Sequence, residues 1–478
     1  MLFNSLIFLV FAAIFFGMWP FIKPHRQARY LLLVISSFIF YGWWDWRFLF
    51  LIIASGLLDF FAGLGMYRRP SLRKFYLGLS LLGNVGSLML FKYSGFFADN
   101  LSWLLGQFGL DVQLRTGLPA FVLILPVGIS FYTFQSMSYT IDIYKGQLKP
   151  TTNIFHFFAY LSMFPQLVAG PIIRAADLLP QLEKENHTTE QQRWEGMHLI
   201  VHGFVKKVFI ADNLAYFVTE AFSNPVHSPN TLYWWVIMTA FAFQIYCDFS
   251  GYSDIARGLA KWMGYEFMVN FNHPYVATSL REFWSRWHIS LSTWFRDYVY
   301  IPLGGSRGGE LKSQTNMWIT MLVSGFWHGA AWNFIIWGGL HALSTTVERF
   351  SRWPQRVCAL PGGRFLASFI LLVQVWVTWV FFRAGTLHQA MDILGSMFSF
   401  HGGFEGLMYD LGGTKLLTLA VIIGIAALRE FWFFMGWHER EFVPGRWRPH
   451  VQVTVMAVLI VVCVFFRGPG SQFIYFQF

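Results

Sequence analysis

The chain has 478 residues, of which 55% are hydrophobic and 13% are charged, and its mean hydropathy is +0.46. Soluble globular proteins carry about 25% charged residues, so this composition excludes an ordinary soluble domain and indicates a polytopic membrane protein. The net charge of +10 lies in short Lys and Arg clusters between apolar runs, which is typical of loop charges and argues against nucleic-acid binding. Cys247, Cys358 and Cys463 are far apart in sequence, which argues against a disulfide framework or a zinc site.

Apolar runs long enough to cross a bilayer, about 20 residues each, begin at the N-terminus. Basic clusters follow the first, third and fifth runs, so we predict that the N-terminus lies outside and that these loops are cytoplasmic. The first run has neither a basic start nor a small-x-small cleavage site, which predicts a retained span. The first five runs lie near residues 2–22, 30–44, 48–66, 75–97 and 118–141.

The regular pattern stops at residues 153–173, where Pro165, Gly170 and Pro171 fall within one apolar run. Two prolines this close interrupt a helix, and broken backbone at membrane depth is tolerated only against protein or water. We therefore predict a re-entrant or kinked segment, followed by an interfacial helix within 174–195. Further apolar runs lie near residues 196–222, 231–250, 365–382, 415–435 and 451–466.

A basic block and a long apolar stretch follow one another in the second half of the chain. Residues 272–315 carry five Lys or Arg against three acids, which favours a cytoplasmic face. The stretch 316–346 is too long for one simple span, so we predict a helical hairpin or a broken helix with His328 near its depth. An acidic stretch before the run at 415–435 is predicted to lie outside. Its acids are Asp392, Glu405 and Asp410.

No internal repeat, low-complexity linker or soluble domain is evident in the sequence. We predict an all-α polytopic integral membrane protein with roughly ten to thirteen transmembrane or re-entrant helices. The predicted organisation is a single membrane-embedded domain over 1–478. Its parts are N-terminal spans in 1–120, a core in 120–345 with the catalytic stretch at 270–345, and C-terminal spans in 346–478.

His328 is the residue that the sequence marks most directly as functional. A histidine inside a lipid-compatible segment is costly to keep, and such residues have a functional role by default. Its Trp, Phe, Gly and Ala neighbours favour the neutral imidazole, which suits a general base. Gly325 and Gly329 flank it with a spacing that lets another helix approach closely. A hydrogen-bonded bridge between two helices is the open alternative.

A second group of candidates lies upstream. If their segment is helical, Arg281, Trp284 and His288 fall on one helix face and offer a cation, an aromatic surface and an imidazole. This face fits the phosphates and ring of a nucleotide-like ligand, but it is equally typical of an interfacial helix. The Gly-rich turn 304–309, with Arg307, has the composition of a phosphate cradle or of an ordinary tight loop.

Two acids, Asp248 and Asp254, flank a Ser- and Gly-containing segment at a predicted membrane boundary. A cation site is one interpretation, and a helix cap or turn is the more usual one. The sequence contains no H-E-x-x-H zinc motif, and its G-x-S-x-G match, Gly304-Gly-Ser-Arg-Gly308, belongs to the Gly-rich basic turn, so neither a metal site nor a serine-hydrolase mechanism is predicted. The residues alone leave a transferase and a transporter open.

Seven segments carry a common pattern from about residue 120 to the C-terminus. They are GISFYTFQ (128–135), YTID (139–142), FPQLVAGP (164–171), DFSGYSD (248–254), REFWSRWHISLSTWFRDYVYIPLGG (281–305), SGFWHGAAW (324–332) and FIYFQF (473–478). Together they resemble the membrane-bound O-acyltransferase (MBOAT) family, in particular its bacterial alginate O-acetyltransferase type. The first hundred residues match mainly in hydropathy.

The resemblance implies an O-acyltransferase with a central tunnel in which His328 is catalytic and His288 is its upstream polar partner. The family takes an acyl group from a thioester, here acetyl-CoA or an acylated carrier, and delivers it to a hydroxyl. His328 is then expected to act as general base, and His288 to position or polarise the thioester. Arg281, Trp284 and Arg307 are expected donor contacts, and no permanently bound cofactor is expected.

In the bacterial type, the resemblance implies acetyl transfer across the inner membrane for O-acetylation of an exopolysaccharide such as alginate or cellulose. It also implies a periplasmic acetyltransferase partner of the SGNH type and a polysaccharide biosynthesis complex. A sibling branch that transfers D-alanine to teichoic acid is an alternative. A transporter is the alternative from another class, and it predicts internal repeats and paired broken helices. A third alternative, a non-enzymatic scaffold of an export complex, predicts that both histidines are replaceable.

Overall fold

The computed structural model describes residues 1–168, 170–185, 187–224, 228–436, 449–471 and 473–474. All regular elements in these ranges are helical, which confirms the predicted all-α class. Within the same ranges, four segments are long and apolar enough to cross a membrane, and the predicted total of ten to thirteen stays a prediction. The four are Arg26–Arg68, Pro70–Gln107, Gly363–Arg383 and Gly413–Phe434.

The chain forms two compact units, and the first comprises residues 1–197 and 255–268. Short helices and irregular backbone alternate in its later part. Its helices are α1 (Leu6–Ile22), α2 (Arg26–Asp45), α3 (Leu49–Arg68), α4 (Arg73–Leu88), α5 (Ser94–Gln107), α6 (Ile129–Tyr144), α7 (Ile154–Leu161), α8 (Phe164–Leu167) and α9 (Ala175–Glu183).

The hydropathy pattern predicted one helix of the first unit at the wrong position and one helix break at the right position. The predicted span 118–141 is wrong, because α6 begins only at Ile129, after Pro126 and a left-handed Gly128 with φ +72°. The predicted break in 153–173 is confirmed, since α7 ends at Leu161 and the four-residue α8 follows. In both places a proline lies close to the break in the helix, Pro126 before α6 and Pro165 in α8.

The second unit comprises residues 198–254 and 269–478. Two helices, α10 (Glu190–Phe204) and α12 (Thr231–Met263), have residues in both units. The single domain over residues 1–478 stays a prediction. The other helices are α11 (Asp212–Ser223), α13 (Leu280–Arg286), α14 (Ile289–Phe295), α15 (Glu310–His328), α16 (Trp332–Ser351), α17 (Trp353–Cys358), α18 (Gly363–Arg383), α19 (Leu387–Met397), α20 (Phe404–Leu411), α21 (Gly413–Phe434) and α22 (Pro449–Phe465).

Buried ion pairs connect α12 to the π-helical segment that precedes α11. Lys207 Nζ lies 2.8 Å from Asp212 Oδ1 and 2.8 Å from Asp248 Oδ1, and Lys206 Nζ lies 2.5 Å from Asp254 Oδ2. Asp248 and Asp254 therefore lie inside a long helix, and the expectation of a cap or turn is wrong. Their carboxylates are neutralised by lysines of another segment, a pairing that burial requires.

Candidate active site

The turn between α15 and α16 positions His328. α15 ends at His328 and α16 begins at Trp332, which confirms the predicted hairpin or broken helix. The two helices approach closely, because a Cβ atom added at Gly325 would overlap the backbone oxygen of Phe334. A Cβ at Gly338 would come within 2.5 Å of a backbone oxygen of α15. Glycine at both positions thus permits the tight hairpin that places the histidine.

Aromatic rings surround the His328 side chain, which is 5% exposed. Its ring centroid lies 5.0 Å from that of Trp327, 5.0 Å from that of Trp337 and 5.2 Å from that of Phe382. The three rings meet the imidazole at steep angles, between 71° and 81°. Desolvation among these rings disfavours the imidazolium, so the site favours a neutral imidazole, as a general base requires.

His288 occupies a strained backbone position between two short helices. α13 ends at Arg286, and His288 caps α14 in the left-handed region with φ +42° and ψ 54°. The prediction that Arg281, Trp284 and His288 share one helix face is therefore wrong. A non-glycine residue in this region costs of order 1–3 kcal/mol and persists only where its surroundings impose it. Such positions cluster at functional sites.

Asn270 holds His288 by a side-chain hydrogen bond. Asn270 Oδ1 lies 3.2 Å from His288 Nδ1 and accepts hydrogen bonds from the Ser290 backbone N–H at 3.2 Å and from Ser290 Oγ at 2.9 Å. Because a backbone N–H can only donate, the shared Asn270 atom is the amide oxygen. His288 Nδ1 must then donate, so Nδ1 carries the proton and Nε2 carries the lone pair.

The same pocket disfavours protonation of His288. Its side chain is 1% exposed, and the rings of Phe249 and Phe271 lie 4.6 Å and 6.0 Å from the imidazole centroid. His288 lies outside the four spanning segments, and burial lowers the pKa of its imidazole to about 3. At neutral pH the ring is uncharged and can accept a hydrogen bond at Nε2.

The structure brings the two predicted histidines to one tryptophan. The ring centroid of Trp327 lies 6.5 Å from that of His288 and 5.0 Å from that of His328. Phe249, on the other side of His288, contacts Phe473 with a centroid separation of 5.6 Å. Of the terminal FIYFQF motif, residues 475–478 lie outside the described residues. The motifs that are distant in sequence thus converge around two imidazoles.

A cavity of about 1000 Å³ lies beside this cluster. It reaches Ser324, which is one turn before His328 on α15, and it contains both Arg281 and Trp284 in its wall. From the Gly-rich turn, Ser306 lines the cavity, while Arg307 is an exposed neighbour. Guanidinium groups are suited to bidentate binding of phosphate. The arginines in the wall are Arg281, Arg296, Arg349 and Arg352.

Two residues of the site received no role from the sequence. Asn270 had no marked signal, because a lone Asn in a loop is ordinary. His341 is 1% exposed on α16, and its ring centroid lies 4.7 Å from that of Trp337 and 5.0 Å from that of Trp284. Neither of its ring nitrogens has a hydrogen-bond partner among the described residues. The sequence could have marked His341 as a candidate, because it is a second histidine in the same apolar stretch as His328.

The site defines a class of protein before any comparison is made. Buried imidazoles, aromatic walls and an arginine-lined cavity are suited to proton transfer and to binding an anionic group. Among the described residues, no group of three or more His, Cys, Asp or Glu side chains is placed to hold a metal ion. The arrangement is that of a membrane-embedded group-transfer enzyme.

Comparison with known proteins identifies the family. The model of the membrane-bound O-acyltransferase family matches residues 75–384. A probable alginate O-acetylase of Pseudomonas putida is 40% identical over 443 residues, which cover 91% of this chain and 87% of that protein. A peptidoglycan O-acetyltransferase of Helicobacter pylori is 35% identical over 400 residues, covering 78% of this chain and 74% of that protein.

A teichoic acid D-alanyltransferase of Bacillus subtilis is 29% identical over 269 residues, which cover 53% of this chain and 67% of that protein. The chain therefore belongs to the membrane-bound O-acyltransferase family and is a multi-pass membrane O-acyltransferase. This confirms the family and the enzyme class predicted from the sequence motifs.

Proposed function

We propose that this protein is an inner-membrane O-acetyltransferase that transfers an acetyl group from a cytoplasmic thioester across the membrane, for O-acetylation of an exopolysaccharide such as alginate or cellulose. The observation that carries the proposal is the convergence of His288 and His328 on Trp327 beside an arginine-lined cavity. The names of the Pseudomonas and Helicobacter relatives support acetyl as the group transferred.

The cavity is proposed to hold the donor, either acetyl-CoA or an acylated carrier. Both carry their thioester on a phosphorylated arm, and Arg281 and Arg352 offer guanidinium groups to that phosphate, while Arg349 in the same wall is ion-paired with Glu310 at 2.7 Å. Trp284 provides an aromatic wall for the arm. Ser324 marks the point at which the cavity approaches His328, so the thioester end is placed there.

The two imidazoles then have different tasks. His328 accepts the proton of the attacking hydroxyl while the new C–O bond forms and the C–S bond of the thioester breaks. The departing thiolate takes up a proton, which leaves a free thiol and an ester. His288, with its lone pair on Nε2, accepts a hydrogen bond from an amide N–H of the donor arm. The tautomer set by Asn270 thus supports positioning of the thioester rather than polarisation of its carbonyl.

The acceptor is proposed to be a hydroxyl of a periplasmic acetyltransferase partner, which passes the acetyl group to the polymer. The G-x-S-x-G match at Gly304–Gly308 lies in a turn between two helical segments and not at a strand-to-helix elbow, which supports such a division of labour. The proposed acyl path is a tunnel between the two membrane faces. No permanently bound cofactor is part of the proposal.

Polymer acetylation in cells tests the proposal. Ester-linked acetate on the exopolysaccharide is measured for wild-type, His328→Ala and His288→Ala strains with matched membrane levels. Loss of a general base typically lowers a rate by a factor of about 100 to 10,000, so the His328 variant should show acetate near background. His187→Ala is the control, because that histidine side chain is 81% exposed. Normal acetylation with the His328 variant would refute the assignment.

The same strains separate the alternative functions. D-alanyl transfer, the activity named for the Bacillus relative, predicts His328-dependent release of D-alanine from the envelope by mild base. A transporter or a scaffold of the export complex predicts that both histidine variants retain function. Acetate loss with unchanged D-alanine supports the acetyltransferase.

A further inference from the structure

Residues 384–412, here called the acidic connection, join α18 to α21 and include α19 and α20. The acidic connection contains three acids and no Lys or Arg, although the whole chain has a net charge of +10. The segment before α18 contains Arg352 and Arg356, and Arg364 follows in the first turn of α18, whereas the acidic connection is bordered by Arg383 on one side and Lys415 on the other. Since α18 and α21 are both candidate spans, this charge difference places the acidic connection on the outer face.

Large aromatic side chains of the acidic connection are unusually exposed. Phe400 and Tyr409 are each 90% exposed, and Phe404 is 63% exposed. The helices have already buried their inner faces, where Ile393 is 0% and Leu407 is 4% exposed. The exposed rings therefore make no contribution to the core and are available to contact another molecule.

Phe400 has an unfavourable backbone conformation that the surrounding loop maintains. Phe400 has φ +55°, a left-handed conformation that is rare for a bulky residue and that costs of order 1–3 kcal/mol. The loop is fixed to the start of α12: the Thr231 N–H donates to His401 O at 3.0 Å, and Asn230 Nδ2 donates to Gly403 O at 3.0 Å. Glycine is also required at Gly402, where a Cβ would lie 2.6 Å from the Asn230 side chain.

We propose that the acidic connection is the docking surface for the envelope protein that receives the acetyl group, and that this partner presents a basic surface with a pocket for an aromatic ring. The inference rests on the proposed function, whose hydroxyl acceptor must reach the outer face. Phe400 and Tyr409 are the anchors, since large aromatic side chains are enriched at protein interfaces and supply much of the binding energy there. Asp392 and Glu405 supply the charge complementarity.

A bilayer surface is the other environment that exposed aromatic rings can meet. A fluid lipid interface needs no strained loop to receive a phenyl ring, whereas preorganisation increases affinity for a folded partner. Helices that lie on membranes place Lys and Arg on the polar face, and the acidic connection has none. Glu405 and Asp410 are next to Phe404 and Tyr409, so anionic headgroups would be repelled where the rings insert.

Photocrosslinking in living cells tests which partner is present. Benzoylphenylalanine is placed at position 400 or 409, and at position 67 as a control, where Tyr67 is 61% exposed on α3. The expected product is an adduct with one envelope protein from positions 400 and 409 only. Deleting the gene of that protein should abolish polymer acetylation. Adducts with phospholipid alone, adducts with a second copy of this chain, or no adduct would each overturn the proposal.

Substitutions provide an independent measurement. Phe400→Gly removes the ring and suits the left-handed backbone, and Tyr409→Ala preserves the helix, so both variants should reach normal membrane levels. Their combination should lower polymer acetylation about tenfold or more, as loss of interface hot spots does. Tyr67→Ser should have no effect. Unchanged acetylation in the double variant would refute the docking surface.

Charge reversal and a catalytic variant separate docking from catalysis. Glu405→Lys combined with Asp392→Lys should remove the crosslink, because a basic partner is then repelled. His328→Ala should retain the crosslink while it abolishes acetylation. If His328→Ala retains acetylation, the proposed function fails. If His328→Ala loses acetylation while the reversed-charge variant retains both acetylation and crosslink, only the docking surface fails.

Discussion

Replacing Asn270 with alanine should reduce transfer without removing either histidine. In the native protein, Asn270 Oδ1 accepts from His288 Nδ1 at 3.2 Å and from both the N–H and the hydroxyl of Ser290, at 3.2 Å and 2.9 Å. Alanine leaves these buried donors without their acceptor, and each unsatisfied donor costs about 1–3 kcal/mol. The left-handed conformation of His288 then loses its main support.

The expected change in activity follows from the tautomer. Without the Asn270 oxygen, the His288 tautomer with its proton on Nδ1 loses a preference of roughly 1 kcal/mol. This loss alone lowers the population of that tautomer by several-fold. Adding the freedom of the His288 backbone, we expect Asn270→Ala to lower the rate of acetyl transfer about tenfold or more. Because His288 contacts the donor arm in the proposed complex, the apparent KM for the donor should rise while kcat falls.

Asn270→Asp is the matched variant, because a carboxylate retains the acceptor for His288 Nδ1. It also introduces a negative charge beside an imidazole whose pKa burial lowers to about 3. A carboxylate stabilises the protonated ring, so the pKa of His288 should rise and an acid limb should appear at higher pH than in the wild type. The assay is acetyl transfer by membranes from labelled acetyl-CoA across pH. If Asn270→Ala were as active as the wild type, or if the two variants had identical pH profiles, the assigned role of Asn270 would be refuted.

Three further predictions concern the surroundings of the site. Lys207→Met leaves two buried carboxylates unpaired and should destabilise the protein by about 3–5 kcal/mol, measured as a lower Tm in detergent; an unchanged Tm would contradict the ion-pair geometry. Gly325→Ala should abolish activity because its Cβ overlaps the facing helix, whereas Gly339→Ala on the same hairpin, with a nearest contact of 3.8 Å, should retain it. Arg281→Ala should raise the apparent KM for acetyl-CoA by about tenfold, more than exposed Arg307→Ala does, and the reverse order in the same kinetic assay would count against the cavity as the donor site.

Local sequence information was sufficient for part of the site. His328 was predicted to be functional because a histidine in an apolar stretch is costly wherever the stretch is placed. The helix break after His328 was predicted because residues 316–346 exceed the length of one span. The spacing of Gly325 correctly predicted a close contact between helices. Arg281 and Trp284 line the same cavity, although the single helix face assumed for them does not exist.

Other features depend on partners that are distant in the chain. The left-handed turn at His288 follows from hydrogen bonds to Asn270, and no periodicity in the sequence records them. Asp248 resembles a cap by its neighbours, but Lys207 neutralises it inside a helix. Ring packing with Trp284 and Trp337 places His341 in the cluster.

The sequence by itself determined the all-helical membrane class, the family and the most conspicuous histidine. These properties depend on hydropathy and on motifs within a few residues, which act locally along the chain. Only the tertiary structure decided which tautomer His288 adopts, which acids are paired and which side chains line the cavity. Those outcomes depend on distances and desolvation between segments, because a buried polar group is stable only with the partner that the fold brings to it.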